Sequence, residues 1–222
     1  MIAATILCAL AVVVLVYAEH ADNNRLRFVA KPIASAAFIA VGLVAACGGG
    51  SYATWICIGL VLGAIGDVAL LFERGFGAGL VAFLAGHVAY CVAFGQLVPP
   101  RAWLGEVGVY AVAPAIIAMI ALAWMWKHLG KMRGAVVAYV AVIVTMVIAA
   151  LAAARISGSR ALPSRTAWLI GAGACVFFAS DLAVARDKFV TRSFVNRAWG
   201  LPAYYAAQLM LAWSIVSLPP PS

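Results

Sequence analysis

The sequence predicts an all-α fold: a polytopic membrane helical bundle of eight transmembrane helices with both termini on the non-cytoplasmic side. Three observations lead there. Of the 222 residues, 67% are hydrophobic and only 10% charged, with a mean hydropathy of +1.08; water could not solvate the surface of a soluble domain with that balance. Polar residues gather in short clusters between apolar runs of roughly 17 to 22 residues, the length that crosses about 30 Å of hydrocarbon. No stretch alternates apolar and polar residues with a period of two, which sets a β-barrel aside.

The spans are expected at about 2–18, 32–47, 55–72, 78–98, 107–126, 134–154, 166–185 and 198–217, forming one transmembrane domain over residues 1–222. The first ends on Val16-Tyr17-Ala18, which resembles a signal-peptidase site. Its first Lys or Arg residues follow the apolar run instead of preceding it, so it reads as a retained span. Lys31-Pro32 opens the second. Gly48-Gly49-Gly50-Ser51 and Pro99-Pro100 are turns and not phosphate cradles, because neither is followed by a lysine at P-loop spacing. The tail Pro219-Pro220-Pro221-Ser222 ends the last helix. Loops this short make consecutive spans antiparallel neighbours.

Basic residues orient the bundle. One set of alternate loops holds Arg25, Arg27, Lys31, Arg74, Lys127, Lys131, Arg133, Arg186, Lys188, Arg192 and Arg197; the other holds Arg101, Arg155, Arg160 and Arg165. The richer side is cytoplasmic, which places both termini opposite it and predicts a multi-pass protein of the cell (inner) membrane. The formal charge of +8 therefore marks membrane topology. No soluble basic domain remains to hold nucleic acid. Cys8, Cys47, Cys57, Cys91 and Cys175 lie in or beside apolar runs without a CxxC pair, so neither a disulfide framework nor a thiolate metal site is indicated.

The third span carries the most informative residue. Asp67 is a carboxylate inside an apolar helix, costly enough there to be read as functional. It shares a face with Gly59 and Gly63, small residues at the spacing that lets helices approach, so it should look into the bundle. Asp67-Val-Ala-Leu-Leu-Phe-Glu73-Arg74 has an echo in Asp181-Leu-Ala-Val-Ala-Arg-Asp187-Lys188 of the seventh span, in keeping with a parallel four-plus-four duplication.

Counting along the spans puts Asp67 roughly 9 Å and Asp181 roughly 7 Å from the cytoplasmic helix ends at 1.5 Å per residue. Lys31, Tyr139, Tyr204 and Tyr205 fall at a similar depth, with His87, Tyr90 and Gln208 deeper. Taken singly, each tyrosine reads as a belt residue and the His or Gln as a packing hydrogen bond. Their convergence predicts a pocket open to the cytoplasmic leaflet. Two carboxylates in a low dielectric cannot both ionise cheaply, which suits acid–base work. Two Asp and one His could hold a metal, but His87 is the sole intramembrane histidine, His20 and His128 being in loops, and no metal or other cofactor is expected. No Ser or Cys has the His partner of a nucleophilic triad.

At these residues the sequence resembles the YhhN family, the lysoplasmalogenases that include the TMEM86 proteins. The pieces that carry the resemblance are Lys31-Pro32, Gly66-Asp67, Phe83-Leu-Ala-Gly-His87-Val-Ala-Tyr90, Tyr139, Phe178-Ala-Ser180-Asp181-Leu-Ala and Tyr204-Tyr205-Ala-Ala-Gln208, in order over most of the chain. The resemblance implies an intramembrane hydrolase that cleaves the vinyl ether bond of lysoplasmalogen or a related lysolipid, giving a fatty aldehyde and a glycerophospho-base. It implies Asp67 and Asp181 as catalytic acid and base. His87, Tyr90, Tyr139, Tyr204, Tyr205 and Gln208 would orient them and the water, and Lys31, Arg186 and Arg197 would meet the substrate phosphate. The substrate is then a lysophospholipid in the membrane, with no protein partner. A proton-coupled transporter of a small or lipidic solute is the alternative, since the same acids could relay protons; a lipid-binding protein without turnover is a third reading.

Overall fold

The side chain of Asn23 accepts a hydrogen bond from the backbone of Leu26 (3.1 Å) and so starts a helix well before the proline expected to open it. In a computed structural model describing residues 1–47, 49–156 and 163–216, the helices are α1 (Ile2–His20), α2 (Asn24–Ala45), α3 (Ser51–Ala69), α4 (Phe76–Leu97), α5 (Trp103–Val107), α6 (Val112–Met125), α7 (Arg133–Arg155), α8 (Ser164–Phe189) and α9 (Phe194–Ser214). Short 3₁₀ turns join α4 to α7 by way of α5 and α6, and no strand occurs among the described residues. Gly48, Arg160 and the Pro219–Ser222 tail, each part of an expectation above, lie outside those residues.

Among the described residues, seven stretches are long and apolar enough to cross a membrane: Ile2–His20, Asn24–Ala45, Ser51–Ala69, Phe76–Leu97, Pro100–His128, Gly130–Arg155 and Ser164–Phe189. The chain is thus a polytopic helical bundle. Where an eighth span was expected stands α9, which is long enough but less apolar. It carries Asn196, Arg197, Tyr204, Tyr205 and Gln208, so its polar content follows from the side chains it brings to the interior.

Several helices start or end away from the ends of the expected spans. Lys31 lies two turns inside α2, because Asn23 and not Pro32 caps it. α3 ends at Ala69, which puts Asp67 in its last turn. α8 runs on to Phe189, so Arg186 and Lys188 are helical and Asp181 sits about two turns from the end. A helix need not end where its apolar run ends, so the distance of each acid to its helix end differs from the count along the run. α9 starts at Phe194, where the Ser193 side chain caps Val195 (3.2 Å), so Tyr204 and Tyr205 are in its third and fourth turns. The fifth span is broken: Gly108 has φ 56°, a backbone few other residues adopt, and divides α5 from the rest.

Neighbours in sequence pack as neighbours in space, α1 on α2, α3 on α4, α7 on α8 and α8 on α9. Longer-range contacts close the bundle: α9 lies against α1 and α2, and α7 against α4. At one end of it, Glu19 of α1 accepts from Arg197 of α9 (2.6 Å) and pairs with Arg27 of α2 (3.2 Å). Phe28 of α2 meets Phe72, just beyond α3, and Phe76 of α4 meets Phe189 of α8. The ends of α1, α3 and α8 therefore gather with the starts of α2, α4 and α9, and most of the candidate residues stand behind this basic end.

Candidate active site

Asp67 is sealed, with 2% of its surface exposed. The glycine face of α3 explains how a carboxylate can sit there. A Cβ at Gly59 would strike the ring of Tyr90, one at Gly63 would strike the amide of Gln208, and one at Gly66 would strike the ring of Phe83 (2.7 Å). The small residues that predicted close helix approach thus make room for the polar side chains of α4 and α9.

Every polar neighbour of Asp67 is a donor. The Lys31 ammonium lies 3.4 Å from Oδ1. The Ser35 hydroxyl donates to Oδ2 at 2.7 Å, shorter than its contact with the Lys31 carbonyl at 3.0 Å. Behind them runs a directed chain: Tyr90 donates to Gln208 Oε1 (2.6 Å), and Gln208 Nε2 donates to the Tyr204 oxygen (3.0 Å). That leaves the Tyr204 hydroxyl proton free to donate within the Asp67 cluster. The Tyr205 hydroxyl stands 3.4 Å from Ser35 Oγ. Asp67 lies in the last turn of α3, where the helix dipole disfavours an anion, and Lys31 offsets both that and the loss of water.

Asp181 is set differently, and 18% of its side chain is exposed. The Tyr139 hydroxyl of α7 donates to Oδ2 at 2.6 Å. His87 of α4, 1% exposed, brings Nε2 to 3.5 Å from the same oxygen. The other ring nitrogen, Nδ1, is 2.6 Å from the Phe83 carbonyl. The imidazole packs edge-on against Tyr139 and Phe177.

The structure brings Lys31, Asp67, Tyr204, Tyr205, Gln208 and Tyr90 into one cluster, and Asp181, Tyr139 and His87 into another. Phe177 stands between them, its ring 4.7 Å from His87 and 5.4 Å from Tyr204. Among the described residues no hydrogen bond or ion pair joins the two carboxylates directly, and the aromatic rings of Phe177, Phe83 and Tyr204 pack where an open pocket was expected. Arg186 and Arg197 stand apart from both clusters. Arg186 donates to Asn196 (3.0 Å), while Arg197 is held by Glu19 and lies 3.9 Å from Asp187. Lys31 turns inward to Asp67 and does not join them. No three of His, Cys, Asp and Glu gather at metal-binding distance among the described residues.

Sequence reasoning missed Ser35. It lies four residues after Lys31 on one face of α2, and that spacing was the available signal. An apolar groove of about 430 Å³ between α1 and α9 has Cys8, Val12, Pro202 and Leu209 in its walls and touches the Asp67 cluster through Tyr205.

The YhhN family profile matches residues 26–215, a range containing every candidate residue. Lysoplasmalogenase TMEM86A of Bos taurus is 35% identical over 167 residues, 74% of this chain and 66% of its own length. The Homo sapiens TMEM86A lysoplasmalogenase is 33% identical over 168 residues, with 74% and 66% covered. A lysoplasmalogenase of Mycobacterium tuberculosis is 31% identical over 169 residues, 71% of this chain and 58% of its own length. The chain thus spans between 58% and 66% of the length of these curated relatives. No solved structure matches it significantly.

Proposed function

The chain belongs to the YhhN family, and from that premise we propose that it is an intramembrane hydrolase of lysoplasmalogen or a closely related lysolipid ether. The observation that carries the reading is the pair of carboxylates on α3 and α8, each inside an otherwise apolar bundle: Asp67 is ion-paired to Lys31 and hydrogen-bonded by Ser35, both of α2, and Asp181 is hydrogen-bonded by Tyr139 of α7 with His87 of α4 3.5 Å away. One partner satisfies a structural polar residue; each of these has two polar side chains set against it.

A vinyl ether is opened by protonating its β-carbon, which leaves an oxocarbenium ion on the neighbouring carbon. Water adds there, and the resulting hemiacetal collapses to a fatty aldehyde and a glycerophospho-base. The reaction needs an acid, an anion beside the developing cation and a base for the water, as in glycoside hydrolysis. Asp67 and Asp181 supply these roles between them. Tyr90, Gln208 and Tyr204 orient Asp67, with Tyr205 beside them, while Tyr139 and His87 orient Asp181. The substrate's phosphate lies toward the end where Arg186 and Arg197 stand, and Lys31 serves Asp67 instead. The rings between the two clusters must move aside for the substrate's reacting carbons. In this reading the chain is a single eight-span unit in the cell's inner membrane, with its termini outside and the site facing the cytoplasmic leaflet. It needs no cofactor.

The test is mass spectrometry of lipid products formed by purified protein in detergent. Wild-type protein should release fatty aldehyde from lysoplasmalogen. Asp67→Asn and Asp181→Asn should each lose roughly 10²- to 10⁴-fold in rate, the span typical of a general acid or base, while remaining folded by circular dichroism. Full activity in both variants would remove the assignment. Solute uptake into sealed vesicles with no lipid cleavage would point to transport.

A further inference from the structure

The donors and acceptors around the two aspartates differ in a way that locates a proton. A backbone carbonyl can only accept, so the 2.6 Å contact between His87 Nδ1 and the Phe83 carbonyl fixes the imidazole proton on Nδ1. In the neutral ring Nε2 then presents a lone pair. It is buried, has no hydrogen-bond donor, and faces Asp181 Oδ2 at 3.5 Å. Were Asp181 ionised, two acceptors would confront each other inside an apolar bundle. A proton on Asp181 removes the conflict by pointing at Nε2, while Tyr139 still donates to the same carboxyl. Asp67 presents the opposite inventory. Lys31 pairs with it, Ser35 donates to it, the Tyr204 hydroxyl is free to donate beside them, and no hydrogen-bond acceptor contacts it among the described residues, so an ionised carboxylate satisfies every neighbour.

We propose that Asp181, backed by the His87 lone pair, holds the transferable proton of this site, and that Asp67, ion-paired to Lys31, is its standing anion. The location of the proton follows from the donor inventory alone; its delivery to substrate rests on the hydrolase reading. In that reaction the Asp181 O–H bond breaks as the C–H bond forms at the β-carbon, leaving Asp181 ionised with Tyr139 donating to it. Water adds to the oxocarbenium carbon and gives its proton to Asp67. On collapse the hemiacetal hydroxyl returns a proton to Asp181. Asp67 protonates the departing glycerol oxygen, so both acids end as they began.

Infrared spectroscopy reads the proton without turnover, because a neutral carboxylic acid has a carbonyl stretch well separated from the bands of a carboxylate. The sequence has seven Asp and Glu residues in all. Of the other five, Glu19, Asp22 and Asp187 lie against arginines, and Glu73 and Glu106 are exposed. At neutral pH, purified wild-type protein in lipid vesicles should show one neutral-carboxyl band. It should vanish in Asp181→Asn, whose amide can donate to His87 and accept from Tyr139, and should persist in Asp67→Asn. If Asp67→Asn fails to fold with Lys31 unpaired, the Lys31→Met/Asp67→Asn double variant replaces it. A wild-type spectrum lacking the band overturns the proposal, as does a band that survives in Asp181→Asn and disappears with Asp67. The expected spectra without lysoplasmalogen cleavage would sink the hydrolase reading and leave the proton where it is placed here. Cleavage with the reversed spectra would do the converse.

Discussion

In the first half of the chain, Asp67 on α3 takes its partners from α2, which precedes it, with Tyr204, Tyr205 and Gln208 of α9 gathered behind it from across the bundle. In the second half, Asp181 on α8 takes a hydroxyl from α7, which precedes it, and a ring from α4 across the bundle. The packing agrees: α3 lies chiefly on α4 as α8 does on α9, and α2 meets α9 as α7 meets α4. This is the pattern that a parallel four-plus-four repeat produces. Chemically the halves diverge. A lysine enters beside the first acid and an imidazole lone pair beside the second, so equivalent scaffold positions hold carboxyl groups suited to opposite tasks. The outer walls diverge too: α1 packs broadly on α2 and α9, whereas the fifth span is broken between α5 and α6 and contributes little to the interior.

Removing the cation is the sharpest way to break the comparison. Lys31→Met leaves a sealed carboxylate unpaired and should cost about 3–5 kcal/mol, the usual penalty for orphaning a buried charge. Adding Asp67→Asn should restore much of it. Asp181→Asn, with no cation to orphan, should change thermal stability little in the same detergent melt. Equal losses for Lys31→Met and Asp181→Asn would erase the distinction between the halves. A smaller effect is expected at Gly63→Ala, where the new methyl meets the Gln208 amide behind Asp67. Overpacking there should cost roughly 1–3 kcal/mol, whereas Gly77→Ala on α4, with open space around it, serves as the neutral control.

The smallest effect concerns Asp22, in the exposed turn between α1 and α2. A hydrogen bond from Arg27 and its charge hold that carboxyl below its ordinary range. The pair's contribution is present above the unfolded carboxyl's pKa and is lost as pH falls through the folded value. Asp22→Asn should therefore leave the melting temperature nearly unchanged at neutral pH, as exposed pairs do, and should flatten only the acid limb of the pH–stability curve.

Much of this was legible in the residues. Glycines at 59 and 63 announced that Asp67 faces inward, because a helix fixes which residues share a face. The recurrence of Asp-x-Ala near two basic helix ends announced the second acid. Ser35 was not legible, since a serine in an apolar run reads as packing until a carboxylate is seen opposite it. The partners of Arg186 and Arg197 were equally hidden. Their position at a basic end suggests phosphate, yet Asn196, Glu19 and Asp187 arrive from the ends of α1, α8 and α9 to engage them.

The sequence alone determined the solvent and the element type. Apolar runs of membrane-spanning length admit only helices whose backbone groups are satisfied within each segment. It also determined which faces turn inward, because helical periodicity is local. Only the tertiary structure decided which helices meet, and hence that Lys31 belongs to Asp67, His87 to Asp181, and that Phe177 separates the two. Those contacts depend on side chains far apart in the chain, and the protonation of a buried acid depends on the donors that other helices bring to it.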